Sequence, residues 1–389
     1  MPVINRIAEF HQDMKAWRQH LHANPELLFD TVETAGFVVD RLREFGVDQI
    51  ETGIGRTGVV AVIHGQGGDG PTIGLRADMD ALPIQEIRDL PYKSRTAGVM
   101  HACGHDGHTT MLLGAARYLA ETRNFSGSVA LIFQPAEEGG GGGKEMCDDG
   151  IMDRFGITQV YGIHNWPNVP EGSFATRPGP LMAAADTFDI AVTGSGAHAA
   201  RPHLGIDPVM VAVQIAQGLQ TIASRRTDPL ESIVLSITQI HAGTTNNVIP
   251  ETAHLNGTVR TLKDGLNLTV RDQMQKIAEL TAAAHGATAV LNYEIGYPVT
   301  ANDPDKVRFA ASVAEDLMGA DRVEQDTVPV MGSEDFSYML KERPGAYLFL
   351  GQGESAGLHN EKYDFNDDIS PIGASFFARL VETAQPPSA

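Results

Sequence analysis

The residues of this chain that are best suited to chemistry are concentrated in one short segment, residues 101–108. It contains three histidines, one cysteine and one aspartate. Thiolate, imidazole and carboxylate groups are the ligands that divalent transition metals take in proteins. Cys103 and His105 are two residues apart, so their side chains would point the same way in an extended loop. The segment therefore predicts a metal site.

Two other interpretations of this segment remain open. It could be the polar start of a helix, with Asp106 as the N-cap residue. Alternatively, Cys103 could be a nucleophile activated by a neighbouring histidine. The nucleophile interpretation does not require the carboxylates and histidines that occur elsewhere in the chain.

An acidic pair, Glu137 and Glu138, follows the apolar segment 129–133. Adjacent side chains near a strand end point in different directions. One carboxylate could therefore bind a metal while the other faces the substrate as a base. The alternative is a solvated turn. The preceding apolar segment and Pro135 disfavour this alternative, because they place the pair at the end of a buried strand. Five glycines follow at 139–143 and predict a flexible loop, or a loop that a substrate can approach closely.

Three further residues follow apolar segments in the same way. His164 comes directly after one such segment, and His359 lies in the loop beyond another. Each could also be a structural histidine. Asp80 lies at a third predicted strand end, where it could accept a hydrogen bond from a metal-binding histidine and fix its orientation. The alternative for Asp80 is a cap of a helix or turn.

Short apolar segments precede Asp80, the acidic pair, His164 and His359, and they predict buried strands. They lie at residues 72–75, 129–133, 160–163 and 347–350, and a helix is predicted at 109–122. This alternation is typical of an α/β domain with a mostly parallel sheet. Ligand sites of such sheets form beyond the carboxyl ends of the strands, where the polar clusters are predicted to lie.

The middle of the chain has a different pattern. Its predicted elements follow the order β-α-β-β-α-β, which is typical of a ferredoxin-like α+β module. The strands are predicted at 188–192, 232–240, 252–261 and 289–293, and the helices at 208–224 and 270–284. We therefore expect an inserted domain at 186–299 between two parts of a catalytic domain, 1–185 and 300–389.

Composition excludes several classes of protein. The formal net charge is −20, which disfavours binding to nucleic acid or to an anionic membrane surface. No apolar run approaches the roughly 20 residues needed to span a bilayer, and the first residues carry charges where a signal peptide would be apolar. We therefore expect a cytoplasmic protein. With only two cysteines, we expect no disulfide framework.

Six motifs together resemble the M20 metallopeptidase family, and they occur in order over nearly the whole chain. The resemblance is greatest to its amidohydrolase branch, which includes hippurate hydrolases, N-acyl-amino-acid amidohydrolases and indole-acetyl-amino-acid hydrolases. The motifs are RADMDALP at 76–83, HACGHDGH at 101–108, QPAEEG at 134–139, GIH at 162–164, MGSEDF at 331–336 and LHN at 358–360.

The resemblance implies a two-metal catalytic domain with an inserted lid or dimerisation domain. It assigns the role of general acid/base to Glu137. It makes Asp80 the aspartate that supports the ligands by accepting a hydrogen bond from a metal-binding histidine. The implied metal ligands are Cys103, His105, Glu138, His164 and His359.

In the insert, the resemblance assigns roles to three residues. His198 matches the lid histidine of the family, and Asn247 and Arg260 match its substrate-contacting residues. Asn246 is adjacent to Asn247, so either asparagine could make the substrate contact.

The activity implied by this resemblance is hydrolysis of the amide bond of N-acyl amino acids. The implied cofactor is two divalent metal ions per subunit, manganese or zinc, with cobalt or nickel also suited to these ligands. The implied assembly is a homodimer formed through the insert. The alternatives within the family are a dipeptidase or carboxypeptidase and an N-acetyl-diaminopimelate deacetylase. Outside it, the alternatives are a metal-binding protein without turnover and a metal-free thiol hydrolase that uses Cys103.

Overall fold

The computed structural model describes residues 3–388, which divide into two compact units. The first unit comprises residues 3–181, 301–328 and 335–388, and the second comprises 182–300 and 329–334. The predicted insert, 186–299, lies in the second unit. The short segment 329–334, which we expected in the catalytic domain, also lies in the second unit. The reason is backbone pairing: the Ala183 N–H donates to the Gly332 carbonyl at 2.8 Å, and Met182 forms a bridge with Val330.

The strands are numbered in chain order. They are β1 (Gln49–Ile54), β2 (Gly58–His64), β3 (Thr72–Asp78), β4 (Ser128–Gln134), β5 (Ile157–Trp166), β6 (Phe174–Ala175), β7 (Gly179–Met182), β8 (Ala184–Thr193), β9 (Ala197–His198), β10 (Ile233–Ala242), β11 (Val248–Ile249), β12 (Thr252–Thr261), β13 (Thr288–Tyr297), β14 (Thr300–Asn302), β15 (Val323–Glu324) and β16 (Gly345–Gly351).

The α-helices are numbered in the same way. They are α1 (Asn5–Glu9), α2 (His11–Ala23), α3 (Val32–Phe45), α4 (His105–Thr122), α5 (Gly142–Asp148), α6 (Ile151–Arg154), α7 (Pro208–Thr221), α8 (Leu266–Ala284), α9 (Pro304–Met318), α10 (Phe336–Glu342) and α11 (Ser370–Ala384).

One eight-stranded sheet forms the centre of the first unit, in the order β1-β2-β4-β3-β5-β16-β6-β15. The four central strands β4, β3, β5 and β16 run parallel, whereas β1, β2 and the contact of β6 with β16 are antiparallel. Every residue of β16 is buried, as expected for a central parallel strand covered on both faces. The predicted α/β class with a mostly parallel sheet is confirmed.

Helix α4 begins four residues earlier than the predicted helix, at His105. Its N-cap is Gly104, which has a left-handed φ of +97°, and not Asp106. The polar segment 101–108 is therefore half loop and half first helical turn, so the expectation of an extended loop was wrong. A Cβ at Gly104 would lie 2.2 Å from Oδ1 of Asn165, so both the backbone angle and the close approach require glycine.

The five consecutive glycines at 139–143 form a turn and the start of α5. Gly139 and Gly141 have left-handed φ values of +94° and +70°, and α5 begins at Gly142. A Cβ at Gly142 would lie 1.8 Å from the Pro135 carbonyl oxygen, and a Cβ at Gly143 would lie 2.8 Å from the Asp335 carbonyl oxygen. Close packing of backbone on backbone therefore accounts for glycine at 142 and 143.

The second unit has a four-stranded antiparallel sheet in the order β10-β12-β8-β13. With α7 and α8 in the connections, this is the strand order of a ferredoxin-like module, as predicted. Asp207 caps α7 by accepting a hydrogen bond from the Val209 N–H at 2.9 Å, and Pro208 occupies the first helical position. The core between sheet and helices includes Phe188, Ile215 and Met274.

Within residues 3–388, no helix is both long enough and apolar enough to cross a bilayer.

Candidate metal centre and active site

Two groups of potential ligands lie at the carboxyl-end edge of the central sheet, and they share one residue. The ligand atoms of Cys103, His105 and His164 lie within 4.8 Å of one another, and so do those of Cys103, Glu138 and His359. The structure thus brings together all five residues that the resemblance implies as ligands. Two overlapping groups of potential ligands that share one thiol would suit a pair of metal ions.

His105 presents one ring nitrogen to this centre and uses the other to fix its orientation. Its Nδ1 donates to the backbone carbonyl of Asp80 at 2.8 Å. Its Nε2 is buried and has no hydrogen-bond partner among residues 3–388. A buried ring nitrogen without a partner is costly unless a metal ion binds it. The side chains present therefore fit a metal ion at this position.

His164 lies inside strand β5, which continues to Trp166, and not after the strand end as predicted. Its Nδ1 donates to the backbone carbonyl of Asn165 at 2.7 Å, and its Nε2 lies 3.4 Å from Sγ of Cys103. Burial and the neighbouring His108 hold the pKa of His164 well below its usual value. The ring is therefore neutral, which is the form that binds metals.

His359 completes the second ligand group from the loop after β16. Its φ is +59°, an uncommon backbone conformation for a residue other than glycine. Its Nε2 lies 3.2 Å from Oε1 of Glu138, and its backbone N–H donates to the Ala102 carbonyl at 2.7 Å. The loop of His359 is thus attached directly to the segment that carries Cys103.

Glu137 and Glu138 are held in place through their backbone by the side chain of Asp80. One carboxylate oxygen of Asp80 accepts the Glu137 N–H at 2.9 Å, and the other accepts the Glu138 N–H at 3.1 Å. Ala136, just before the pair, has a left-handed φ of +54° that turns the chain at this point. The ring of His105 contacts the backbone carbonyl of Asp80, and its Nδ1 lies 3.4 Å from Oδ1. Asp80 therefore contacts the acidic pair and the histidine together.

The centre has a strongly negative environment. Burial and the charges of Glu138 and Glu137 hold the pKa of the Cys103 thiol well above its usual value. Burial lowers the pKa of His105, but the negative charges of Asp78, Asp80 and Glu138 outweigh burial and raise this pKa to about 10. A thiol in such surroundings is a poor nucleophile. The environment favours a bound cation and argues against a metal-free thiol hydrolase.

A buried polar network lies next to the ligand groups. Arg76 donates to Asp78 at 2.7 Å, to Asp335 at 3.0 Å and to Gln134 at 2.9 Å. His108 Nδ1 donates to the other oxygen of Asp78 at 2.6 Å. All five of these residues lie in the motifs quoted above, but the sequence analysis assigned them no function. A charged residue inside an otherwise apolar strand, such as Arg76 in β3, was the available signal.

The three predicted residues of the insert lie in the second unit. His198 is exposed on β9, which pairs with β11 so that His198 lies opposite Val248, directly beside Asn247. The backbone carbonyl of Asn247 accepts the Ala199 N–H at 3.0 Å. The structure thus brings His198 and Asn247 together on one β-ribbon. Arg260 lies on β12 and donates to Ser333 Oγ at 2.9 Å.

Comparison with known families identifies the chain. A family model described as peptidase family M20/M25/M40 matches residues 74–383. The chain belongs to peptidase family M20. Among M20 relatives, the chain is 42% identical over 380 residues to hippurate hydrolase from Campylobacter jejuni, covering 98% of each chain. It is 39% identical over 394 residues to thermostable carboxypeptidase 2 from Saccharolobus solfataricus, again covering 98% of each chain.

A solved M20 structure is also similar. The Bacillus subtilis YxeP protein, described as a dinuclear metal-binding peptidase of the M20 family, matches with a TM-score of 0.85 and 34% identity. The match covers 97% of this chain and 99% of that chain. The M20 protein described here is a metal-dependent amidohydrolase with two divalent metal ions as its cofactor. The two overlapping ligand groups around Cys103 agree with this cofactor.

We expect Cys103→Ser to lower metal content strongly, whereas Cys147→Ser leaves it unchanged. The two cysteines form a matched pair because both are buried, with 7% exposed, but only Cys103 lies among other potential ligands. Cobalt-loaded wild type should show an ultraviolet sulfur-to-cobalt charge-transfer band, which metal analysis and absorption spectroscopy would follow through both variants. Retention of the band and of the metal in Cys103→Ser would remove Cys103 from the ligand set.

Proposed function

We propose that this protein hydrolyses the amide bond of N-acyl amino acids, releasing a carboxylic acid and an amino acid. The observation that supports this most directly is the pair of ligand groups sharing Cys103, with the carboxylate of Glu137 beside His105 and Glu138. A hydrolase needs a carboxylate next to the metal centre as a general base, and a storage protein does not. The 42% identity to a hippurate hydrolase supports this class of substrate.

The residues that would hold the two ions in this proposal are Cys103, His105, Glu138, His164 and His359. A thiolate and imidazoles suit zinc, and manganese, cobalt or nickel would also fit these ligands. When bound, a pair of divalent ions supplies Lewis-acid polarisation of a carbonyl oxygen and lowers the pKa of a bound water. The remaining chemistry falls to side chains of the chain itself.

Glu137 is the proposed general acid/base. It is buried, with 7% exposed, and its backbone N–H is held by Asp80. Its carboxylate takes a proton from the attacking water and then delivers that proton to the leaving amine. Asp80 accepts hydrogen bonds from the backbone N–H groups of both glutamates, and these bonds fix the position of Glu137 beside the ligand Glu138.

The insert is proposed to recognise the substrate. Arg260 would bind the substrate carboxylate by charge-assisted hydrogen bonds, together with Asn247 or its neighbour Asn246. His198 would donate a hydrogen bond to the oxyanion of the tetrahedral intermediate. The half-buried guanidinium of Arg260 and the shared ribbon of His198 and Asn247 support these assignments.

We also propose that the protein is a homodimer in the cytoplasm, formed through the second unit. Strand β10 lies at the edge of the four-stranded sheet, and its last residues, 239–242, are exposed. An exposed sheet edge is suited to pairing with a second copy of the same strand. Ile240 on this edge has 51% of its surface exposed, which adds apolar area to such an interface.

A peptidase of the same family is the second candidate function. The 39% identity to a thermostable carboxypeptidase over nearly the whole chain favours this candidate. The two functions differ in the acyl group: a simple acyl group makes the enzyme an N-acyl-amino-acid hydrolase, and an aminoacyl group makes it a peptidase. The metal centre and Glu137 would serve both reactions.

We expect release of free amino acid from N-acyl amino acids only when metal is present. A screen should vary the acyl group, over benzoyl, acetyl, long-chain acyl and indole-acetyl, and the amino acid, with unblocked dipeptides as the comparison. Chelation should abolish turnover, and added manganese, zinc or cobalt should restore it. Activity that survives complete metal removal would refute the proposed mechanism. Preference for dipeptides would favour the peptidase.

A further inference from the structure

We propose that Asn165 is a positioning residue that joins three of the four chain segments carrying the metal ligands. The proposal rests on the metal centre of the proposed function. Asn165 follows His164 on β5, is fully buried and does not itself belong to either ligand group. Its hydrogen bonds nevertheless extend to the start of α4 and to the loops after β16.

The first segment that Asn165 contacts is the first turn of α4. Its Oδ1 lies 2.7 Å from Nε2 of His108, which is one helical turn after His105. The other nitrogen of that ring is bonded to Asp78, which Arg76 also contacts. The side chain of Asn165 is therefore linked through one histidine to the buried ion pair next to the centre.

The same amide packs against the backbone between two ligands. A Cβ placed on Gly104, which separates Cys103 from His105, would lie 2.2 Å from Oδ1 of Asn165 and 2.7 Å from the hydroxyl of Tyr363. The chain between the two ligands can approach this closely only because residue 104 is glycine. Movement of the Asn165 amide would therefore displace the backbone on which both ligands stand.

The second segment is the C-terminal loop that carries His359. The Nδ2 of Asn165 donates to Oε1 of Gln352 at 2.8 Å and to the hydroxyl of Tyr363 at 2.7 Å. These two residues flank His359 in sequence, one on each side of the loop. The Tyr363 N–H also donates to the Asn360 carbonyl at 2.9 Å, which closes the turn beside His359.

The third segment is β5 itself. The backbone carbonyl of Asn165 accepts the hydrogen bond from Nδ1 of His164 and so fixes which ring nitrogen faces Cys103. One residue therefore contacts the segments of four of the five ligands. Asn165 reaches the segment of Cys103 and His105 through Gly104 and His108. It reaches His164 through its own backbone carbonyl, and it reaches the loop of His359 through Gln352 and Tyr363. Such outer contacts orient metal ligands and tune their affinity.

A second buried asparagine of the same unit provides the matched control. Asn302 is 3% exposed, and its Nδ2 donates to Thr176, Arg177 and Tyr347. Its Oδ1 accepts the Tyr347 N–H at 2.8 Å. Its network is as extensive as that of Asn165, but these contacts lie on segments that carry none of the five ligands.

The test compares zinc affinity and thermal stability in Asn165→Ala, Tyr363→Phe and Asn302→Ala. Zinc affinity of the metal-stripped full-length chain is measured by competition with a chromophoric chelator, with no substrate present. We expect Asn165→Ala to weaken zinc binding by about 10–100-fold. Tyr363→Phe, which removes one hydroxyl partner and keeps the ring, should weaken it in the same direction by a smaller factor. Asn302→Ala should lower the melting temperature and leave zinc affinity within about twofold of wild type.

Equal zinc affinity in the Asn165 and Asn302 variants would overturn the proposal. If Asn165→Ala does not fold, Tyr363→Phe decides: weaker zinc binding supports the role, and unchanged binding overturns it. Because the readout contains no substrate, it is separate from the proposed function. A wild type that binds zinc but hydrolyses no N-acyl amino acid would refute the substrate class and leave this proposal standing.

Discussion

Glu137→Gln should reduce kcat by about 10²–10⁴-fold while the protein keeps both of its metal ions. The amide of glutamine retains the size of the side chain and the backbone hydrogen bond to Asp80, but it cannot accept a proton. The loss should therefore appear in turnover and not in substrate affinity. The measurement combines steady-state kinetics at saturating metal with metal analysis of the purified variant.

Glu138→Gln is the matched comparison for this prediction. The two residues are adjacent, and Asp80 holds both of their backbone N–H groups. The carboxylate of Glu138, however, lies close to the ligand atoms of Cys103 and His359. Burial would raise the pKa of Glu138, but His359 and His105 outweigh burial and hold this pKa below its usual value. We expect Glu138→Gln to lose metal. Loss of metal in Glu137→Gln and retention in Glu138→Gln would mean that the two roles are reversed.

His198→Ala should lower the rate by about 10²–10³-fold, the usual effect of removing an oxyanion donor. His198 is exposed on a short ribbon of the second unit, and its Nδ1 accepts the Ala200 N–H at 3.1 Å. Metal content should remain at the wild-type level. His203→Ala is the control, because His203 is also an exposed histidine of the second unit and lies only five residues away.

Mixing of two inactive variants tests whether His198 acts on the partner subunit. The Glu137→Gln and His198→Ala proteins are combined under conditions in which the proposed dimers would exchange subunits. If His198 acts across the dimer, each hybrid has one intact site, and activity should rise to about a quarter of wild type for random exchange. Hybrids that form but stay as inactive as the parents would show that His198 acts within its own chain or has another role.

The general architecture could be predicted from the sequence because its signals are local. The apolar segments before the polar clusters correspond to β3, β4, β5 and β16, and the β-α-β-β-α-β pattern corresponds to the second unit. Hydrophobic periodicity and turn residues depend on neighbours in the sequence, so they can be recognised before the fold is known. The cap at Asp207 is a further case in which the local signal was sufficient.

The parts that could not be predicted depend on contacts between distant segments. The start of α4 was misplaced because polar residues at 105–108 resemble a loop, whereas in the fold they are buried and bonded to Asp78 and Asn165. Tertiary contacts therefore outweigh the local preference at this helix start. The Asp80 side chain follows one strand, and the Glu137 and Glu138 N–H groups that it binds follow another, so no spacing in the sequence indicates these contacts.

The position of β16 in the sheet has a consequence for how the chain is made. This strand lies between β5 and β6, although the whole second unit separates it from β5 in the sequence. Until the ribosome has released residues 345–351, β5 has an unpaired edge and the loop of His359 is absent. Late closure of such a distant parallel pair slows folding and leaves an aggregation-prone strand exposed during synthesis. Chains truncated before β16 should therefore require chaperones and should not acquire the second metal ion.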